Sequence, residues 1–208
     1  MAQQKALLSP NIRPQGISGL YALTPDCQDT EALLRRVRLA LAGGVRVLQY
    51  RNKTVGTALR SSQAGALREL TREFGVTFIV NDDAQLAVDV DADGVHLGAM
   101  DGEIKTARAL LGHKKLIGAS CYNRMALARD AVHSGVDYVA FGAFFASTVK
   151  PEAAVATPDL LRVARAELNV PIVAIGGINA NNGIALLQAG ADALAVISAV
   201  FDAADIQQ

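Results

Sequence analysis

The chain has 208 residues, 51% of them hydrophobic and 19% charged, which suffices for one continuous core and excludes a disordered chain. Lysine plus arginine number 20, and so do aspartate plus glutamate, so the formal net charge is zero. No basic surplus exists to hold nucleic acid by counterion release, and 5% aromatics without tryptophan make no base-stacking platform.

Short β-branched runs alternate with longer Ala/Leu-rich segments along the whole chain, the pattern of βα units around a parallel sheet. Residues 1–16 read as a polar tail, and the domain is expected over 17–208. Strands are predicted near 20–23, 45–51, 78–81, 94–97, 116–120, 138–141, 172–175 and 193–197. Helical periodicity covers 31–42, 58–74, 104–111, 125–134, 158–168 and 181–189. Gly43, Gly75, Gly112, Gly135 and Gly190 stand where helices must end and turn toward the next strand. Eight such units without a linker predict a single (β/α)₈ TIM barrel. An open doubly wound sheet is the alternative, but its glycine fingerprint is missing after the first strand, which runs into Thr24-Pro25-Asp26. Residues 201–208 leave about two turns for a short final helix, fewer than barrels usually carry.

Barrel active sites lie at the C-terminal ends of the strands. In the second strand, alternation puts Val45, Val47, Gln49 and Arg51 on one face, and Lys53 extends the row. An amide and two cations at the mouth suit an anion, since inward positions rarely hold such groups without a partner. Lys53 can also be read as a solvated loop charge.

The third strand ends in Asn81-Asp82-Asp83, and the fourth leads into Asp101. Each aspartate can be an N-cap, and Asp83 is expected to be only that. Asp82 and Asp101 end neighbouring strands, so their carboxylates can also converge on Mg²⁺ carrying a diphosphate. His96, inside its strand, is expected as a hydrogen-bonded core histidine.

Gly176-Gly177 and Ile197-Ser198 form a second candidate, either a tight turn or a phosphate pocket at the seventh and eighth loops. The segment 142–151 is small, bears hydroxyls and contains Lys150; it reads as a lid or as an ordinary surface loop. Ser120 and Cys121 have no histidine nearby in sequence, so neither is expected to be a nucleophile. Cys27 and Cys121 lack a CxxC spacing, so no disulfide framework or zinc site is expected. The most apolar stretch, 185–201, is interrupted by Gln188 and Asp192, and the N-terminus lacks a signal-peptide pattern. A cytoplasmic protein with small phosphorylated partners, and neither nucleic acid nor membrane, is expected.

In this order, these residues resemble the thiamine phosphate synthase family from about 20 to 201. Gln49-Tyr50-Arg51-Asn52-Lys53 resembles its Q-x-R-x-K, Asn81-Asp82-Asp83 its N-D-D, and Asp93-Gly94-Val95-His96-Leu97-Gly98 with Asp101 its D-G-x-H-x-G-x-x-D. The family also has counterparts of Ser120, Lys150, Ile175-Gly176-Gly177-Ile178 and Ile197-Ser198. The resemblance implies a transferase that joins a pyrimidine methyl diphosphate to a thiazole phosphate and releases pyrophosphate. By that analogy Arg51, Lys53 and Lys150 are the catalytic cations, and Asp82 and Asp101 bind Mg²⁺. Gln49, Tyr50, Arg51, Asn52, Lys53, Asn81, Ser120 and Lys150 hold the pyrimidine diphosphate; Ser147, Thr148, Val149, Gly177, Ile197 and Ser198 hold the thiazole phosphate. The chain departs from the pattern at Ala99, where Gln is usual, and at Ala146 and Val149, where the lid usually reads P-T-x-T-K. Val149 can neither donate nor accept. Thiazole tautomerases, which share the barrel but tend to lose the diphosphate residues, and a non-catalytic barrel binding thiamine intermediates are the alternatives.

Overall fold

A computed structural model describes residues 16–98, 104–145 and 156–207. Strand and helix alternate strictly: β1 (Gly19–Leu23), α1 (Thr30–Ala42), β2 (Val47–Tyr50), α2 (Thr57–Phe74), β3 (Thr77–Asn81), α3 (Ala84–Asp89), β4 (Gly94–Leu97) and α4 (Ile104–Leu111) make the first half. The second half is β5 (Leu116–Tyr122), α5 (Met125–His133), β6 (Tyr138–Phe141), α6 (Pro158–Glu167), β7 (Ile172–Ile175), α7 (Gly183–Gln188), β8 (Ala193–Val196) and α8 (Ser198–Phe201). All neighbours pair in parallel, and β8 closes onto β1 through Gly19↔Ala193 to Ala22↔Val196, which makes the predicted barrel.

The period of two along each strand sorts side chains into two layers. Tyr21, Val47, Ile79, Tyr138, Val173 and Ala195 fill the lumen, whereas Ala22, Leu48, Phe78, Val95 and Ile117 face the helices. Leu33, Leu67 and Leu161 meet that outer face fully buried, each contributing roughly 1.5–3 kcal/mol. Gly118 belongs to the lumen: a Cβ there would lie 2.0 Å from Cζ of Tyr138, so the tyrosine ring rests on the glycine backbone.

At the N-terminal end of the barrel one device recurs three times. Asp93, Asp137 and Asp192 each precede an even-numbered strand and accept the backbone N–H of Phe78, Ile117 and Ile172 on the strand before, at 2.8, 2.7 and 2.7 Å. Each also binds an arginine from an even-numbered helix: Arg68, Arg108 and Arg165. Arg68 is bidentate on Asp93, at 2.8 and 3.0 Å.

Among the boundaries that differ from the sequence reading are those of β2, β5 and the final helix. Val45, Arg46 and Arg51 lie outside β2, and β5 runs two residues further, to Tyr122, past a register shift between Ser120 and Tyr122. The final helix is not in 201–208: α8 is one turn over Ser198–Phe201, followed by turn and bends. Arg36 donates to the Phe201 carbonyl, the group a further helical turn would need, and Asp205 turns back to accept from the N–H of Gln207 at 3.0 Å. Among the described residues, no helix is long and apolar enough to cross a membrane.

Candidate active site

One side of the C-terminal mouth is built from the loops that follow β1, β2 and β3. Thr24 ties the end of β1 to that of β2: its hydroxyl donates to the Arg51 carbonyl and accepts from the Arg51 N–H, both at 2.9 Å. Asp26 accepts from the N–H of Lys53 at 2.8 Å and stands 3.6 Å from the Arg51 guanidinium. The Lys53 ammonium, more than half exposed, lies 3.6 Å from the Asp82 carboxylate.

Tyr50 and Asn52 fall on the other face of the row, toward α2. The Tyr50 hydroxyl donates to Gln63 Oε1 at 2.8 Å, while the Asn52 amide donates to the Cys27 carbonyl at 2.7 Å and to Gln63 at 3.0 Å. Their polar groups fix the loop that presents Arg51 and Lys53. Between these loops lies a pocket of about 270 Å³. Arg51, Lys53 and Arg60 supply its cations, Asp82 its carboxylate, Asn52 and Asn81 its amides, and Val55, Val80 and Leu86 its apolar wall. Arg60, with its Nε buried and without a hydrogen-bond partner, was not singled out in the sequence because it sits within α2, whose pattern is amphipathic. The signal that could have found it is its place in the first turn of the helix behind β2.

Asp82 and Asp83 have different surroundings. Asp83 is the N-cap of α3, accepting from the N–H of Leu86 at 2.9 Å. Asp82 adopts φ 63°, a left-handed conformation sparsely used outside glycine, and its N–H donates to the His96 carbonyl at 2.8 Å. Its side chain lines the pocket.

Beneath the mouth the lumen is polar but neutral. Gln49, buried, donates to the Tyr21 hydroxyl at 2.7 Å, and Tyr21 and Tyr138 meet hydroxyl to hydroxyl at 3.0 Å across the barrel. His96 lies 3.0 Å from Tyr138 through Nδ1 and 2.9 Å from Ser120 through Nε2, the hydrogen-bonded core histidine that the sequence suggested. Burial pushes its pKa down to about 4, and burial raises both tyrosine hydroxyls well above their usual range. Burial also pushes the Cys121 thiol up to about 12, so it is no nucleophile at neutral pH.

On the opposite side, β7 and β8 are neighbours, so Gly177 and Ile197-Ser198 end adjacent strands. Gly176 takes φ 105°, and a Cβ there would lie 2.4 Å from that of Ala143, so only glycine lets the loops after β6 and β7 pass. The Gly177 carbonyl accepts from Asn182 at 3.0 Å. Ala99, Asp101, Ala146, Ser147, Thr148, Val149 and Lys150 lie outside the described residues. Among the described residues, no three His, Cys, Asp or Glu side chains cluster as a metal site.

A closed barrel whose mouth gathers three cations and a carboxylate over a neutral, hydrogen-bonded floor defines the class of barrel enzymes that handle phosphorylated small molecules. The family model described as thiamine monophosphate synthase matches residues 20–200, and the chain belongs to that family. It is 56% identical to a thiamine-phosphate synthase of Methylobacillus flagellatus over 92% of this chain and 91% of that one. It is 52% identical to the enzyme of the same name from Nitrosospira multiformis, over 92% and 82%. Among solved structures, a thiamine phosphate pyrophosphorylase from Pyrococcus furiosus superposes with a TM-score of 0.82 at 36% identity, covering 91% of this chain and 90% of that one.

Proposed function

We infer that the chain is a transferase that joins 4-amino-2-methyl-5-(diphosphooxymethyl)pyrimidine to 4-methyl-5-(2-phosphooxyethyl)thiazole, giving thiamine phosphate and pyrophosphate. The observation that carries this reading is the cationic pocket at the ends of β2 and β3, in a chain whose relatives bear that name. The diphosphate takes the pocket, where Arg51, Lys53 and Arg60 meet its oxygens and Asn81 adds an amide. Tyr50 and Asn52 serve by holding the loop. Gln49 and Ser120 line the neutral floor, where the pyrimidine ring fits better than a charged group. Lys150 adds a cation by the family pattern. Gly177, Ile197 and Ser198, with Ser147, Thr148 and Val149, take the thiazole phosphate.

In this reading the pyrimidine carbon–oxygen bond breaks first, the electron pair leaves with the diphosphate, and the thiazole nitrogen closes the new bond. The chain's part is to stabilise charge on the departing group, so it needs no nucleophile of its own. Asp82 offers a carboxylate oxygen inside the cationic pocket, the donor type Mg²⁺ takes, and Asp101 joins it by the family pattern. Mg²⁺ bound there would supply positive charge to the leaving diphosphate. With this reading go small phosphorylated partners and a cytoplasmic location.

The tautomerase alternative is disfavoured by the intact set of Arg51, Lys53 and Asp82 around one pocket. Purified protein given both substrates and Mg²⁺ is expected to release pyrophosphate with matching thiamine phosphate. Release no greater than with either substrate alone overturns the proposal.

A further inference from the structure

Five residues from five different strands form one hydrogen-bonded chain across the lumen: Gln49 on β2, Tyr21 on β1, Tyr138 on β6, His96 on β4 and Ser120 on β5. The successive separations are 2.7, 3.0, 3.0 and 2.9 Å. Each hydroxyl carries a single proton, and where every one of those protons is donated within the chain of bonds or at its open end, only one direction remains. The Gln49 amide nitrogen can only donate, so Tyr21 accepts there and gives its own proton to Tyr138. Tyr138 in turn donates to His96 Nδ1, which must therefore be bare. A neutral imidazole then carries its proton on Nε2, facing Ser120 Oγ. Ser120 accepts from the histidine, and its own proton is left for a partner in the mouth.

We propose that His96 is a positioning residue: fixed as the Nε2–H form by Tyr138, it makes Ser120 a one-way hydrogen-bond donor toward an acceptor atom on the pyrimidine end of the substrate. This rests on the function inferred above. The two ends of the chain of bonds differ in chemistry, and that sets its purpose. Gln49 at its start is 3% exposed, whereas Ser120 at its end is partly open and, among the described residues, has no other side-chain partner. The register shift just after Ser120 turns the end of β5 at this residue. The charged groups stand at the ends of β2 and β3, so the uncharged hydroxyl on β5 is left to the uncharged ring.

The test reads the tautomer directly. In protein labelled with ¹⁵N-histidine, His113 and His133 are exposed whereas His96 is buried, and the resonance that disappears in His96→Gln assigns His96. The expected pattern is protonated Nε2 and bare Nδ1; a protonated Nδ1 reverses the chain and overturns the proposal. Tyr138→Phe keeps the ring on Gly118 but removes the proton that fixes Nδ1. It is expected to mix the tautomers and raise KM for the pyrimidine diphosphate about 3- to 10-fold, with kcat changed less. An unchanged KM overturns the link to substrate. His96→Gln can still accept from Tyr138 and donate to Ser120, so it is expected to retain more affinity than His96→Leu; equal loss in two folded variants overturns the role. A wild-type protein with the expected tautomer but no turnover would overturn the inferred function while leaving the direction of the chain intact.

Discussion

The two ends of the barrel use the same residue types to opposite effect. At the N-terminal end, Arg68 is 10% exposed and Asp93 16%, the pair is bidentate, and the aspartate also accepts a strand N–H. At the C-terminal end, Arg51 and Asp26 stand 3.6 Å apart, as do Lys53 and Asp82, and the Lys53 side chain is 58% exposed. Charges held in direct hydrogen bonds to each other and to a strand N–H hold strands together. Cations that stand 3.6 Å from their carboxylates and remain partly exposed can be recruited by an anion. The zero net charge of the chain is therefore a sum over two ends with different work.

Breaking a clamp should show the larger effect. Asp93→Ala leaves the Arg68 guanidinium buried without its carboxylate and the Phe78 N–H without its acceptor. A loss of about 3–5 kcal/mol in unfolding free energy is expected, measured by urea denaturation, with kcat/KM per folded molecule unchanged. A similar loss of kcat/KM would mean that the two ends are not separate. At the mouth the expectation inverts. Asp82→Asn removes the charge from the pocket but keeps a residue type that tolerates the left-handed backbone, and should cut Mg²⁺-dependent turnover about 100-fold or more, with unfolding midpoints close to the wild type. Arg60→Met, which keeps the apolar stem of the side chain, should raise KM for the diphosphate substrate about 10-fold. An unchanged KM would restrict the diphosphate site to the ends of β2 and β3.

How far these ends were legible follows from the range of the interactions. Strand positions are local, set by β-branched runs, and all eight were readable. The placement of Arg51 and Lys53 at the end of β2 was readable from the strand pattern, whereas Gln49 turns into the neutral floor against Tyr21. The clamps were not, since Arg68 and Asp93, Arg108 and Asp137, and Arg165 and Asp192 are 25, 29 and 27 residues apart and meet only once the barrel closes. Their one local trace is a lone aspartate directly before each of three apolar strands, β4, β6 and β8. The final helix was misplaced because propensity favours the alanines after Phe201, while the tertiary bond from Arg36 takes the carbonyl that helix needs. Tyr21 and Tyr138 read as apolar strand residues; only the lumen shows their hydroxyls bonded across it.

The neutral floor between the two ends carries a pH signature. His96 has its pKa depressed to about 4 by burial, whereas an unfolded histidine titrates near 6.5. Between these values the unfolded chain takes up a proton that the folded chain refuses. Stability from this group is therefore complete above about pH 6.5 and falls as the pH drops toward 4, by at most about 1.4 kcal/mol per unit. His96→Gln should flatten that part of the stability profile. A slope unchanged by the substitution would assign it to other groups.

Asp82 and Asp83 repeat the contrast between the ends at the scale of one peptide bond. Asp83 completes its hydrogen bonding locally, on the N–H of Leu86 at 2.9 Å, whereas Asp82 faces the pocket beside Lys53. Asp83→Ala should cost about 1 kcal/mol of stability through the lost cap, and Asp83→Asn, which still caps, only a few tenths. Both should keep kcat/KM within about twofold, since the cap restrains a helix end and no ligand. An activity loss in Asp83→Ala that Asp83→Asn restores would show that the cap also holds Asp82 in its left-handed conformation, so that a stabilising contact and a substrate contact share one backbone turn.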